Sequence, residues 1–198
     1  MSLCWLRLTF WVHQAPIYWM TYPLVFLAFS LSWRSLHYKI LFDLSHEDLE
    51  HYNFPELTKL KKFVLTTFRS TYKGEDQSLL GCTSIIRAAP QLKEFVLHLM
   101  SRPFTVNREC KKAIKCPLHH LKVVKLWGFY SGTFHLELVR YFLENAVALE
   151  KIIIDPTSPL FCRVPWSPEE IKHQQRARNL AKLQLEGEVP PAIELVIL

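Results

Sequence analysis

The chain states one pattern of apolar and polar positions five times. Leu60 introduces Lys-Lys-Phe-Val-Leu, Leu92 introduces Lys-Glu-Phe-Val-Leu and Leu121 introduces Lys-Val-Val-Lys-Leu. Leu149 is followed by Glu-Lys-Ile-Ile-Ile, and Ile193 by Glu-Leu-Val-Ile-Leu. The third and fifth positions after each anchor are Phe63/Leu65, Phe95/Leu97, Val124/Leu126, Ile152/Ile154 and Val196/Leu198. Side chains two residues apart leave the same face of a strand, so each copy predicts a short strand with one buried face. A second pattern precedes two of the copies. Thirteen, ten, six and three residues before Leu92 stand Leu79, Cys82, Ile86 and Ala89; before Leu149 stand Leu136, Val139, Leu143 and Ala146. Steps of three and four place each set on one stripe of a helix.

The anchors are 32, 29, 28 and 44 residues apart. One strand per unit of nearly thirty residues, with helices between, predicts an α/β leucine-rich-repeat solenoid with about five short parallel strands. Its concave face would be lined by the alternate strand positions, such as Lys62 and Val64, Glu94 and Val96, or Val123 and Lys125. The pattern divides the chain into an apolar segment, residues 1–56, and a repeat domain, residues 57–198.

Residues 1–56 show no clear repeat. No Asp, Glu, Lys or Arg separates Arg7 from Arg34, and residues 15–33 approach the length that crosses a bilayer. Pro16, Pro23 and several polar residues dilute the apolar signal, and basic residues on both flanks leave the orientation open. Three readings compete: a membrane anchor, the buried strand and turn of a degenerate repeat, or the end of a truncated gene product. The latter two together are favoured. Ser45, with Glu47 and Asp48 behind it, is a candidate helix cap.

In the repeat domain, Asp76 is the expected cap of the helix that Pro90 ends. The stretch after Leu99 carries Arg102, Arg108, Lys111, Lys112 and Lys115 and lacks the helical stripe, as an insertion or a solvated, irregular unit would. Further on, Thr133 is the expected cap of the helix over Leu136 to Ala146. Ser167, Pro168 and Glu170 form a helix start with Ser at the cap, Pro at the first position and Glu at the third. That last helix carries Lys172, Arg176, Arg178 and Lys182, with a modest apolar stripe of Ala177, Leu180, Ala181 and Leu183, and Gly187 is its expected stop. It reads as an element covering the end of the array, with a solvated basic face.

A net charge of +6, spread along the chain, falls short of a nucleic-acid footprint. The five cysteines, Cys4, Cys82, Cys110, Cys116 and Cys162, are odd in number and irregular in spacing, as free thiols in a reducing compartment would be. Five residues separate Cys110 from Cys116, too many for the usual zinc pair, so His119 and His120 behind them do not imply a metal. No nucleotide-binding loop, paired catalytic carboxylates or nucleophile motif is present, and the histidines are scattered, so neither an enzyme nor a cofactor is expected. No single residue is assigned as a site.

From Cys116 to Pro156 the order of residues resembles the FBD region of plant F-box/leucine-rich-repeat proteins. The resemblance rests on His120, on Leu121-Lys122-Val123-Val124, on Gly128-Phe129, on Leu143-Glu144-Asn145-Ala146 and on Leu149-Glu150-Lys151. Arg176-Ala177-Arg178-Asn179 with Ala181-Lys182 is also similar to the family's terminal helix, and the resemblance extends over about Leu57 to Leu198. It implies the recognition half of a substrate-binding subunit of a cullin–RING ubiquitin ligase. The F-box itself, with a Leu-Pro near its start and a Trp-Arg near its end, has no counterpart here, and Trp33-Arg34 alone does not supply one. A Skp-type adaptor is therefore not expected as a partner.

The function expected is a protein-interaction module, cytoplasmic or nuclear, whose protein partner is unidentified. The alternatives are a ligase subunit with a hidden or omitted F-box, and a membrane-associated repeat protein tethered through residues 15–33.

Overall fold

Each repeat of the apolar pattern becomes one strand, and every strand lies beside its sequence neighbour. The computed structural model describes residues 35–40, 54, 56–67, 79–99, 115–130, 132–157 and 167–198. The strands are β1 (Ser35–Ile40), β2 (Lys62–Thr67), β3 (Glu94–Leu99), β4 (Val123–Trp127), β5 (Lys151–Asp155) and β6 (Glu194–Ile197). They form one sheet in sequence order, and all five pairings are parallel. Parallel neighbours need crossovers. Those seen are a 3-10 turn (Leu80–Cys82) running into α1 (Thr83–Arg87), α2 (Thr133–Asn145) and α3 (Pro168–Leu185).

The register is what the period-two pattern requires. Phe63 pairs with Phe95, Phe95 with Val124 and Val124 with Ile152; two residues on, Leu65, Leu97, Leu126 and Ile154 form a second row. All eight are buried, and the rings of Phe63 and Phe142 flank that of Phe95 at 5.8 and 5.5 Å. Both expected helical stripes face this core: Cys82, Ile86, Ala89, Leu136, Val139 and Ala146 are buried, and Leu79 and Leu143 are packed against it. In α2 the burial extends to Leu138 and Phe142, neither of them in the expected set.

The backbone repeats as faithfully as the side chains. The amide of Leu57, three residues before its anchor, donates to the carbonyl of Ala88, four residues before the next anchor. Leu118 donates to Asn145 from the same two positions. Asn145 is tied further: its Oδ1 accepts from the Cys116 amide at 2.8 Å, and its Nδ2 donates to the Tyr141 carbonyl at 2.8 Å.

Four expectations are corrected. A sixth strand, β1, lies upstream of the five, inside the segment in which no clear repeat was legible; by backbone register Leu36 and Tyr38 stand opposite Phe63 and Leu65. The last strand is displaced by one residue. Leu195 and Ile197, not Val196 and Leu198, continue the two core rows, because Leu195 pairs with Ile152. The turn before the strand is kept, with the Ile193 amide on the Pro190 carbonyl, so this unit has one residue fewer between turn and strand. Gly132, not Thr133, caps α2: its amide donates to the Nδ1 of His135. The buried stripe of α3 is Glu170, Gln174, Ala177, Ala181 and Leu185, leaving Leu180 and Leu183 exposed. Gly187 stands where expected, just past the end of α3 at Leu185 and its cap Glu186, although it is not in the left-handed conformation.

The cap at Ser167 forms as expected, its hydroxyl accepting from the Glu170 amide at 3.1 Å with Pro168 at the first helical position. The expected caps Ser45 and Asp76, residues 15–33, and the basic run apart from Lys115 lie outside the described residues.

Candidate binding surface

The alternation that sends Phe63 and Leu65 into the core sends the remaining strand residues to the other face of the sheet. In-register pairing gathers them into three rows. The first is Lys62, Glu94, Val123, Lys151 and Glu194; the second is Val64, Val96, Lys125, Ile153 and Val196; the third is Thr66, His98, Trp127 and Asp155. All six positions expected to line a concave face, Lys62, Val64, Glu94, Val96, Val123 and Lys125, therefore share one surface.

Its charges are paired across neighbouring strands. Glu94 sits between two lysines, with Oε2 3.0 Å from the Lys62 Nζ and Oε1 2.8 Å from the Lys125 Nζ. Burial pushes the Glu94 carboxyl up, but the hydrogen bonds and charges of Lys125 and Lys62 together outweigh it and hold the group below its usual range. Lys151 pairs with Glu194 at 2.8 Å. Between these charges Val64 and Val96 are buried although they lie outside the helix-side core. The face thus offers mutually neutralised charges around an apolar strip.

The third row brings together residues that the repeat pattern did not single out. The ring of His98 stands edge-on to that of Trp127, with centroids 5.5 Å apart, and His98 Nδ1 is 3.3 Å from the Thr66 hydroxyl. Each of these residues lies six positions after its anchor, so extending the alternation by one step finds them. Asp155 closes the row as a turn residue, its Oδ1 accepting from the Thr157 amide at 2.8 Å. The loop after β4 is locked beside it: the Gly128 amide donates to the carbonyls of Asp155 and Thr157, and the Phe129 amide to that of Asp155.

The surface suits recognition by contact. Trp127 in this row has an apolar body with a polar edge, a residue type enriched at protein interfaces. Cys116 and Cys82 are free; Cys82 is buried, its thiol donates to the Leu79 carbonyl, and burial pushes it up to about 12. His119 and His120 are exposed. Among the described residues, no group of three or more His, Cys, Asp or Glu is placed to hold a metal ion, and no helix is long and apolar enough to cross a membrane.

Residues 109–154, which include β4, α2 and all of β5 but Asp155, match the family model described as FBD. The chain therefore carries an FBD region. No curated protein and no solved structure matches the chain.

Proposed function

We propose that this protein is a non-catalytic protein-interaction module, a leucine-rich-repeat type of solenoid that holds a protein partner on the outer face of its sheet. The observation that carries the reading is the in-register row structure of that face. Neutralised charges surround Val64 and Val96, and the His98–Trp127 pair borders them. Repeat arrays bind through broad surfaces of this kind, and aromatic residues at such surfaces supply most of the binding energy.

The FBD match favours a second reading within the same class. The sequence resembles the substrate-holding region of plant F-box proteins, so the face would present substrates to a cullin–RING ligase. An F-box supplied by a further segment would provide the adaptor contact.

The test is an affinity capture from plant extract with the whole chain and with a Trp127→Ala/Lys125→Glu variant, read by mass spectrometry after both are shown to melt alike. Proteins recovered by the parent and lost with the variant support binding on the outer face. Identical recoveries refute it. Skp-type adaptor and cullin among the recovered proteins would select the ligase reading.

A further inference from the structure

One row of side chains departs from the charge pairing of the others. The residue immediately after the anchor is Lys61, Lys93 and Lys122 in three successive units, and Glu150 in the next. The backbone fixes these residues on adjacent rungs. The Lys61 carbonyl accepts from the amides of Lys93 and Glu94, that of Lys93 from Lys122 and Val123, and that of Lys122 from Glu150 and Lys151. The Lys122 ammonium pairs with the Glu150 carboxylate, so side chains at this position reach their neighbours along the row. All four residues are exposed, and Lys59 and His120, each just before an anchor, are exposed behind them.

Adjacent rungs of a sheet are about 4.8 Å apart, so Lys61, Lys93 and Lys122 hold like charges side by side. Like charges opposite one another in a sheet cost stability. The strands just beyond show the alternative: Glu94 lies between Lys62 and Lys125, and Lys151 takes Glu194. Glu150 relieves Lys122 on one flank, but Lys61 and Lys93 have no ion-pair partner among the described residues. Beside a face whose charges are neutralised, the protein thus fixes neighbouring cations without an anion of their own.

We infer that the Lys61–Lys93–Lys122 row holds a short acidic, extended segment of a partner protein, laid across the starts of β2, β3 and β4. Carboxylates on alternate residues of such a segment are about 6.7 Å apart, a spacing that flexible lysine side chains on successive rungs can meet. Glu150 ends the row with a charge that repels the segment, so its acidic residues settle over Lys61 and Lys93. A row closed in this way fits a few carboxylates and not the continuous basic track that a nucleic acid needs. Neither Trp127 nor Lys125 takes part, so this reading and the outer-face reading can fail separately.

The test follows the fluorescence anisotropy of the labelled peptide Ser-Glu-Val-Glu-Ser-Glu titrated with the full chain at low ionic strength. Saturable binding is expected, and the peptide with Gln in place of Glu should bind about fivefold more weakly or worse. Lys93→Glu makes the charges alternate along the row; it should weaken the acidic peptide about fivefold or more and melt no earlier than the parent. Arg176→Glu, an equal change of charge at an exposed position of α3, should bind within about twofold of the parent. No saturable binding, equal binding of the Gln peptide, equal loss in the two variants, or earlier melting of Lys93→Glu would each overturn the proposal. So would displacement of the peptide by a single-stranded oligonucleotide at a lower concentration than unlabelled peptide requires, which would assign the row to nucleic acid.

Discussion

Gly128 lies so close to Leu99 that a Cβ on the glycine would stand 2.3 Å from the Leu99 carbonyl oxygen. Its φ of 75° is also a conformation that side-chain-bearing residues rarely adopt. Both constraints act at the point where its amide locks the loop onto Asp155 and Thr157. Gly128→Ala should therefore destabilise the protein by about 2 kcal/mol or more. A urea melt checks this, and a midpoint equal to the parent's would show that the loop relaxes freely.

Tyr141 presents the opposite case. Its hydroxyl is buried with no hydrogen-bond partner among the described residues, and burial pushes its pKa up. Tyr141→Phe removes an unsatisfied polar atom and keeps the ring, whose edge meets Phe142. The expected outcome is a gain of about 1 kcal/mol in the same melt. A loss of that size would mean the hydroxyl is satisfied.

Leu97 and Leu183 separate the two kinds of leucine in this chain. Leu97 is fully buried between Leu65 and Leu126, whereas Leu183 is 80% exposed. Leu97→Asp places an unpaired carboxylate in the core at a cost of several kcal/mol and should unfold the protein. Leu183→Asp should melt within about 0.5 kcal/mol of the parent. Equal melting of the two variants would invalidate the assignment of the inward face.

The Glu94 carboxyl titrates below its usual range in the folded protein, so the unfolded chain binds its proton first as pH falls. The stability this group contributes is complete above the usual carboxylate value and disappears as pH drops through the lowered one. Because the Glu94 side chain is partly solvated, the contribution is at most about 1 kcal/mol. Glu94→Gln should flatten the fall in stability below about pH 4.5, and should leave the slope near neutrality unchanged.

Cys82 and Cys116 differ in access. With its thiol pushed up to about 12 and buried, Cys82 should resist alkylation in the native state and react only on unfolding. Cys116, half-exposed, should be modified first; peptide mapping after a timed pulse of iodoacetamide reads the order. Faster labelling of Cys82 would contradict its burial.

Where sequence and structure agree, the cause is a strong period. Phe63 and Leu65, like Phe95 and Leu97, flank a single valine, so a shift of one residue would turn both large side chains outward and bring in only Val64 or Val96, and the larger pair decides the register. The pattern weakens at β6, where Leu195-Val196-Ile197-Leu198 is apolar throughout and periodicity cannot choose a face. Pairing with Ile152 and Ile154 decides it instead. In α3 the buried positions include Glu170 and Gln174, while Leu183 stays in water. Side-chain hydropathy found the buried Ala177 and Ala181 but wrongly added Leu180 and Leu183, because Gln174 and a glutamate, Glu170, reached by the Tyr130 hydroxyl fill the close side beside the alanines. The Thr66–His98–Trp127 row was missed because its residues share no residue type, only a position. Gly128 could be seen as part of a Gly-Phe pair, but its closeness to Leu99 is a property of the folded backbone alone.

Each strand pairs only with strands adjacent in sequence, and this bears on how the chain reaches its fold. No pairing has to wait for distant ends to meet, since each sheet junction closes a loop of at most a few tens of residues. Assembly can begin at any two neighbouring units and spread outward like a zipper. The first fragment to hold together should come from the region of β3, β4 and β5, where fully buried aromatic and aliphatic side chains are most concentrated. The edges β1 and β6 would then be the last to close and the first to fray.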